Sequence, residues 1–197
     1  MKQEFYFLRD KYGSGYAKAI YKTKDVTIKV CKICGGRHVV LNSNLQVEFK
    51  GKKKADYYAV PGFFIISPKM YNILKENNVS GFEVKDITIL ESLLEKDKKS
   101  SFKNDNLKQL IITSESGYLR KMNGTLFEKC NACNRVIEDM EDIKGIKINI
   151  DEWDGSDIFF IKNFKGIPVV TKRVKDILES NKIKNVQFTN VNDIELC

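Results

Sequence analysis

The segments Cys31-Lys-Ile-Cys-Gly-Gly36 and Cys130-Asn-Ala-Cys-Asn134 contain four of the five cysteines of this chain, in two C-x-x-C pairs. The backbone of a C-x-x-C turn directs both sulfurs towards one point, and two such turns supply the four thiolates that tetrahedral zinc binds at about 2.3 Å. The residue after the second cysteine often needs a positive φ angle, which Gly35 adopts freely and Asn134 tolerates. The sequence therefore predicts a structural zinc site formed by Cys31, Cys34, Cys130 and Cys133.

The distance between the two pairs is unusual. Ninety-five residues separate Cys34 from Cys130, whereas a self-contained zinc ribbon or finger places roughly 12 to 20 residues between its pairs. The entropic cost of closing such a loop grows only slowly with its length. Zinc-binding free energies of roughly 10 to 16 kcal/mol in zinc-finger peptides are large enough to offset that cost. We therefore expect one zinc ion to join two remote parts of the chain.

Two other interpretations of the cysteines stay open at this stage. A thioredoxin-like redox pair lies at the N-terminus of a helix, whereas the Gly-Gly and Asn-Arg dipeptides that follow these pairs favour turns. His38 is the only histidine and could act as a ligand, although the apolar residues that follow it are typical of a strand. Cys197 belongs to neither pair and is interpreted as a bystander.

A second signal is an internal similarity between residues 62–84 and 166–188, which align without a gap at an offset of 104. Each segment begins with a short apolar strand, and Ser67 and Thr171 then stand at matching positions as natural helix N-caps. Apolar residues follow at helical spacing, and Asn77 and Asn181 stand where each helix is expected to end. An apolar strand closes each segment. The sequence therefore predicts a duplicated unit, with one cysteine pair in each copy.

These patterns predict an α+β protein with mixed or antiparallel sheets and two short helices. We expect two related halves, residues 1–94 and 107–197, connected by a polar linker at residues 95–106 and joined by the four-cysteine zinc site into one compact unit. Additional strands are expected within these halves, at residues 5–8, 15–21, 26–30, 45–49, 107–113 and 146–150.

Composition narrows the class of protein. The chain has 197 residues, of which 42% are hydrophobic, and this is enough for a sizeable core. No stretch approaches the roughly 18 apolar residues of a membrane span, and the start lacks the apolar segment of a signal peptide. Cysteines arranged as C-x-x-C pairs suit a reducing compartment. We therefore expect a soluble, cytoplasmic protein.

The charge of the chain favours an anionic partner. The formal net charge is +8, and basic surfaces attract nucleic acids or acidic proteins. The lysines are spread along the sequence, however, and the two tight runs, at residues 50–54 and 96–99, fall in apparent loops with few aromatic residues for base stacking. Solvated loops are the simpler interpretation of these runs.

One polar cluster stands out, Trp153-Asp154-Gly155-Ser156-Asp157. Its carboxylates could bind a divalent cation or exchange protons, but its position between two apolar segments favours a tight turn around Gly155. With one histidine, a histidine-dependent triad is possible only through His38, and no nucleophile motif lies near it. The glycines at positions 13 and 15 lack the lysine of a phosphate-binding loop. The sequence therefore offers no convincing catalytic set.

Taken together, the first C-x-x-C-G motif, the second C-x-x-C about a hundred residues later and the Trp153–Asp157 segment resemble the double-CXXCG motif proteins. These bacterial proteins are regarded as immunity proteins of polymorphic toxin systems. The resemblance extends from Cys31 to about Phe188 and implies that Trp153, Asp154, Gly155 and Asp157 are a family signature. The chain departs from the pattern at Asn134, where the family has glycine, and it is basic where many immunity proteins are acidic.

The sequence thus predicts a zinc-stabilised, non-enzymatic cytoplasmic immunity protein that binds and neutralises a cognate toxin. Exposed loops are the expected contact surface, with no contact residue assigned. A zinc-stabilised nucleic-acid-binding protein is the alternative, with Lys52, Lys53 and Lys54 as its candidate contacts. A thiol oxidoreductase is the third interpretation, and a bound metal would argue against it.

Overall fold

The computed structural model describes residues 3–11, 13–51, 53–90, 102, 105–138, 143–193 and 195–196. Fourteen strands and two α-helices lie in these ranges: β1 Phe5–Asp10, β2 Lys18–Tyr21, β3 Val26–Val30, β4 Arg37–Leu41, β5 Leu45–Lys50, β6 Tyr57–Val60, β7 Phe63–Ile66, α1 Pro68–Glu76, β8 Phe82–Ile89, β9 Lys108–Ile112, β10 Ile143–Lys144, β11 Ile158–Ile161, β12 Phe164–Thr171, α2 Lys172–Ser180, β13 Val186–Asn190 and β14 Glu195–Leu196.

The strands form two main sheets and two small ones. The larger sheet has the order β2-β5-β8-β9-β7-β6 and is antiparallel except for the parallel pair β5 and β8. The second main sheet has the antiparallel order β11-β12-β1-β13. β3 pairs with β4, and β10 with β14, as separate two-stranded sheets. The predicted mixture of strands with two short helices is therefore confirmed.

Both helices begin and end at the predicted residues. The side chain of Ser67 accepts a hydrogen bond from the N–H of Met70, and the side chain of Thr171 accepts one from Val174. Each N-cap thus satisfies one of the backbone donors that a helix leaves free at its start. Asn77 caps the end of α1, and its equivalent, residue 181, caps the end of α2.

The two main sheets share an arrangement that includes an exchange of strands. β9 lies between β7 and β8, and β1 lies between β12 and β13. Lys108 of β9 pairs with Ile66 of β7 and with Asp86 of β8.

The pairing of β1 corresponds to this at an offset of 104. Tyr6 of β1 pairs with Val170 of β12 and with Asn190 of β13. The first strand of each predicted half therefore completes the sheet of the other half.

Hydrogen bonds between the two sheets are reciprocal. A carboxylate oxygen of Asp56 accepts the N–H of Lys184 at 2.8 Å, and a carboxylate oxygen of Asp157 accepts the N–H of Ser80 at 3.0 Å. Ser80 and Lys184 follow α1 and α2 at equivalent positions. Each aspartate also accepts a hydrogen bond from the N-cap hydroxyl of the helix that follows it, at 2.7 Å for Asp56 and 3.3 Å for Asp157.

The helices contact one another in the same reciprocal way. The ammonium group of Lys69 on α1 donates to the carbonyl of Asn181 at the end of α2, at 2.8 Å. The guanidinium group of Arg173 on α2 donates to the carbonyl of Asn77 at the end of α1. Cations are favourable at these positions because the last carbonyls of a helix lack partners within it. Each helix therefore caps the end of the other.

The largest core cluster lies where the helices meet both sheets. Leu74 of α1 and Leu178 of α2 are fully buried in it, together with Leu8 from β1 and Leu110 from β9. Burial of each such side chain contributes roughly 1.5 to 3 kcal/mol. Because these leucines come from both predicted halves, the central core belongs to the whole molecule. A second cluster lies around Phe127 and Phe159, and a third around Leu45 and Tyr58.

One predicted strand is not formed, and one predicted linker lies mostly outside the described residues. The strand expected at residues 146–150 is wrong: Lys147 forms only an isolated bridge with Arg120, and a 3-10 helix begins at Ile150. Ile146 and Ile148 are buried against the second core cluster, so their alternation reflects loop packing. The linker at residues 95–106 lies almost wholly outside the described residues, and the domain boundaries stay a prediction.

Candidate metal centre

The two cysteine pairs occupy turns of the same local geometry. In the first, between β3 and β4, the N–H of Cys31 donates to the carbonyl of Gly36 at 2.8 Å, and the N–H of Gly35 donates to Cys31 at 2.9 Å. In the second, the N–H of Cys130 donates to the carbonyl of Arg135, and the N–H of Asn134 donates to Cys130, both at 2.8 Å. Gly35 and Asn134 have φ angles of 69° and 60°, as predicted.

The four sulfurs converge on one point. Sγ of Cys31 lies 3.8 Å from Sγ of Cys130, and Sγ of Cys34 lies 3.5 Å from Sγ of Cys133. All four sulfurs lie within 4.8 Å of one another. Four thiolates around a zinc ion at about 2.3 Å are separated by about 3.8 Å, the edge of that tetrahedron. The predicted convergence of two remote C-x-x-C pairs, close enough to hold a metal ion, is therefore confirmed.

Backbone amides prepare two of these sulfurs for metal binding. The N–H groups of Cys34 and Ile33 stabilise the thiolate of Cys31 and lower its pKa to about 6. The N–H groups of Ala132 and Cys133 lower the pKa of Cys130 in the same way. Thiolates are the form that binds metal, so each turn presents one sulfur that loses its proton readily.

Cys34 shows the opposite tendency. The N–H of Gly36 lowers its pKa, but the contact with Cys133, burial and the other nearby sulfurs outweigh that effect and raise the pKa to about 11. Negative charges crowded into one place disfavour further ionisation. A divalent cation removes this obstacle because it neutralises the charge of the cluster.

Neither alternative interpretation of the cysteines gains support from the geometry. The described residues that could hold a metal ion form a single group of four cysteines, which His38 does not join. His38 lies on β4 opposite Lys29. Each C-x-x-C turn connects extended segments, β3 to β4 in one case and the bridged residues Lys129 and Val136 in the other. Neither pair therefore opens a helix, as a thioredoxin-like motif would.

The first turn stands at the tip of a two-stranded ribbon formed by β3 and β4. Ile28 pairs with Val39 across the ribbon, and these two residues are 54% and 38% exposed. Val30 lies on the same face and is 55% exposed, and Ile33 at the tip is 72% exposed. An isolated hairpin is marginally stable in water. The tip of this ribbon meets the segment that carries Cys130 and Cys133 at the cysteine centre.

Residues 153–157 form the tight turn that the sequence predicts. A carboxylate oxygen of Asp154 accepts hydrogen bonds from both the N–H and the hydroxyl of Ser156, and Gly155 has a φ angle of 85°. The indole N–H of Trp153 donates to the carbonyl of Ser156 at 2.9 Å. Asp157 also forms an ion pair with Arg173. These contacts give the turn a structural role, and its standing as a family signature stays a prediction.

The basic runs identified in the sequence lie only partly within the described residues. Lys53 lies over the ring of Tyr16 at 4.0 Å, and Lys54 pairs with Asp105 at 2.6 Å. Lys52, the run at residues 96–99 and Cys197 lie outside the described residues. Within the described residues, Lys53 and Lys54 of these runs therefore contact other side chains of the protein.

A basic groove of about 570 Å³, which was not predicted from the sequence, opens beside the cysteine centre. Its charged residues are Arg37, Arg135, Lys162 and Lys165, which come from three separate segments. The only local signal is that Arg37 and Arg135 each follow a C-x-x-C turn closely. The four cations become neighbours only in the tertiary structure, which brings the three segments together.

Comparison with known proteins adds no identity. None of the helices in the described ranges is long and apolar enough to cross a membrane. No protein-family model matches this chain, and no curated protein matches its sequence.

Proposed function

We propose that the cysteine centre binds one zinc ion and that this ion is structural. Sites with four sulfur ligands favour zinc or iron, and a site closed by four protein ligands leaves no position for water or substrate. Cys31 and Cys130 supply sulfurs with lowered pKa values. Both turns also have the backbone geometry of a metal-binding knuckle.

Purified protein is expected to contain about one zinc ion per chain, measured by plasma mass spectrometry. Zinc occupancy falls as the pH falls, because protons compete with the metal for the thiolates. Cys34→Ser is expected to reduce occupancy, whereas Cys197→Ser retains it as a matched control. An iron-containing, coloured protein, or a metal-free protein with the same thermal stability, would contradict the assignment.

We propose that the chain consists of two related halves. The pattern of reciprocal contacts supports this proposal. Strands β6, β7, β9 and β8 correspond to β11, β12, β1 and β13 in order and pairing direction. The aspartate, N-cap and helix-end contacts correspond at offsets of 101 to 104, and the cysteines at 99. The zinc ion then lies near a pseudo-two-fold axis, with one turn from each half.

For the function, we propose a cytoplasmic immunity protein that binds a cognate toxin and neutralises it without catalysis. The observation that carries this proposal is the ribbon, whose clamped tip presents Ile28, Val30, Ile33 and Val39 to solvent. A contiguous exposed apolar face is typical of a protein-binding surface. The resemblance to double-CXXCG motif proteins supplies the class of partner.

Co-expression with the toxin encoded beside this chain in its native genome tests the proposal. The intact chain is expected to restore growth and to co-purify with the toxin. A ribbon variant, Ile28→Ser with Val30→Ser, is expected to lose protection although it retains zinc and thermal stability. Thr27→Ser with Lys29→Arg, on the opposite face, is the matched control. Absence of both protection and complex formation with the intact chain would overturn the immunity function.

A nucleic-acid-binding protein is the second candidate, and the basic groove beside the metal centre favours it. Phosphate contacts would make binding strongly salt-dependent. Substitution of Arg37, Arg135 and Lys162 with alanine would then weaken binding to RNA or DNA in a filter-binding assay, and more strongly than substitution of Lys52, Lys53 and Lys54. Lys54 already pairs with Asp105 in the structure, and this makes the run a less favourable phosphate site than the groove.

A further inference from the structure

The basic groove is lined by residues from three segments of the chain. Arg37 follows the first cysteine turn, and Arg135 follows the second. Lys162 lies in the turn between β11 and β12, and Phe164 and Lys165 begin β12. Among the described residues, none of those that line the groove has an acidic side chain. The groove is therefore a positively charged surface placed directly against the metal centre.

Three of its cations are free to bind a partner. Within the described ranges, no carboxylate lies at ion-pair distance from Arg37, Arg135 or Lys162. Lys165 differs because it pairs with Glu115 at 2.5 Å. Both arginines are exposed, and Lys162 is partly exposed with its ammonium group 5.4 Å from the centre of the Tyr118 ring. Cations grouped without counterions attract an anionic ligand.

One buried residue that lines the groove has a side-chain donor without a partner among the described residues. Asn163 lines the groove and is 3% exposed. Its side-chain oxygen accepts the N–H of Leu119 at 2.7 Å, but its Nδ2 has no partner among the described residues. A buried donor without a partner costs free energy that an acceptor group can recover.

The groove adjoins the apolar face of the ribbon. Arg37 pairs directly with Val30 across β3 and β4, and opposed residues in a sheet share a face. Ile28 and Val39 continue that face. A ligand that reaches from the groove along the ribbon therefore meets cations first and exposed aliphatic side chains next. This combination suits a protein better than a single-stranded nucleic acid, whose bases stack on aromatic side chains.

We propose that the groove and the adjoining ribbon face together dock an acidic segment of a protein partner that also carries aliphatic side chains. Carboxylates of the segment bind Arg37, Arg135 and Lys162, and its aliphatic residues cover Ile28 and Val30. The proposal rests on the proposed function in that it names the surface by which the toxin is held. It also gives a reason for the basic charge of this chain.

Fluorescence anisotropy with the zinc-loaded protein tests the groove without a known partner. The probe is a labelled peptide of repeated Glu-Asp-Leu triplets, compared with a polyglutamate peptide and a single-stranded oligonucleotide of equal charge. Arg135→Glu and Lys162→Glu are each expected to weaken binding of the triplet peptide at least about tenfold. Lys85→Glu, an exposed lysine on β8 outside the groove, changes the net charge equally and is expected to have little effect.

Ribbon variants separate the two parts of the surface. Ile28→Ser with Val30→Ser is expected to weaken the triplet peptide but not the polyglutamate peptide. Zinc content and melting temperature equal to those of the original protein show that each variant is folded. Equal losses for Lys85→Glu, or no binding of the peptide, would overturn the proposal. Tighter binding of the oligonucleotide, lost in the same groove variants, would assign the groove to nucleic acid instead.

The co-expression assay distinguishes failure of this proposal from failure of the proposed function. If the intact chain protects against the toxin and Arg135→Glu with Lys162→Glu protects equally well, the groove proposal is overturned and the immunity function stands. If the intact chain gives no protection, the immunity function fails. The peptide measurement then still decides whether the groove binds acidic segments.

Discussion

Serine in place of Cys31 and Cys130 is expected to lower the free energy of unfolding by on the order of 5 kcal/mol. This is the scale for a cross-link that closes a loop of about a hundred residues, and loss of zinc binding in the folded state acts in the same direction. Denaturant unfolding of the zinc-loaded protein and of the double variant measures the difference. Chelation of the metal from the original protein is expected to reproduce it.

The loss of stability is expected to be greatest in the ribbon of β3 and β4. If the proposed zinc ion holds the tip of the ribbon, amide hydrogen exchange accelerates in β3 and β4 well before it does in β8 and β9 when the ion is lost. Cys197→Ser is the matched control and leaves both cysteine turns intact. Unchanged stability after complete metal removal would contradict the role of the ion as a clamp.

Alanine in place of Asp56 is expected to destabilise the fold by about 3 kcal/mol, since it leaves the buried hydroxyl of Ser67 and the part-buried N–H of Lys184 without their acceptor. Asp157→Ala is expected to cost about 1 to 2 kcal/mol, because Asp157 accepts from Ser80 and Thr171 in the equivalent way but in a more exposed setting. Urea unfolding measures both.

Asp86→Ala provides the control for these variants. Its side chain is 74% exposed and pairs with Lys108 on the surface, and such pairs contribute roughly 0 to 1 kcal/mol. A loss at Asp56 or Asp157 no larger than that of the control would show that the reciprocal contacts are not important for stability.

Local chemistry explains which parts of the fold could be predicted from the sequence. The cysteine turns depend on Gly35 and Asn134, whose conformations are set by neighbours within five residues. The helix limits depend on Ser67 and Thr171 in the same way. Convergence of the two turns followed from the need of zinc for four ligands. Each of these features leaves a signal in a short stretch of sequence.

The remaining features depend on partners that are distant in the chain. The apolar pattern of Phe5, Phe7 and Leu8 identifies a strand, but it carries no information on whether that strand pairs with strands near it in the sequence or with β12 and β13. The groove was missed because Arg37, Arg135 and Lys162 become neighbours only after folding. The strand predicted from Ile146 and Ile148 was wrong because alternate residues can be buried without a ladder of hydrogen bonds.

The position of β1 between β12 and β13 has a consequence for synthesis of the chain. Tyr6 leaves the ribosome well before its pairing partners Val170 and Asn190 are made. Pairings between residues so far apart slow folding, and an unpaired strand is exposed to aggregation in the interval. A nascent chain therefore cannot complete either main sheet from its first half alone. We expect the protein to depend on chaperones during translation and to acquire its native structure in a single late step.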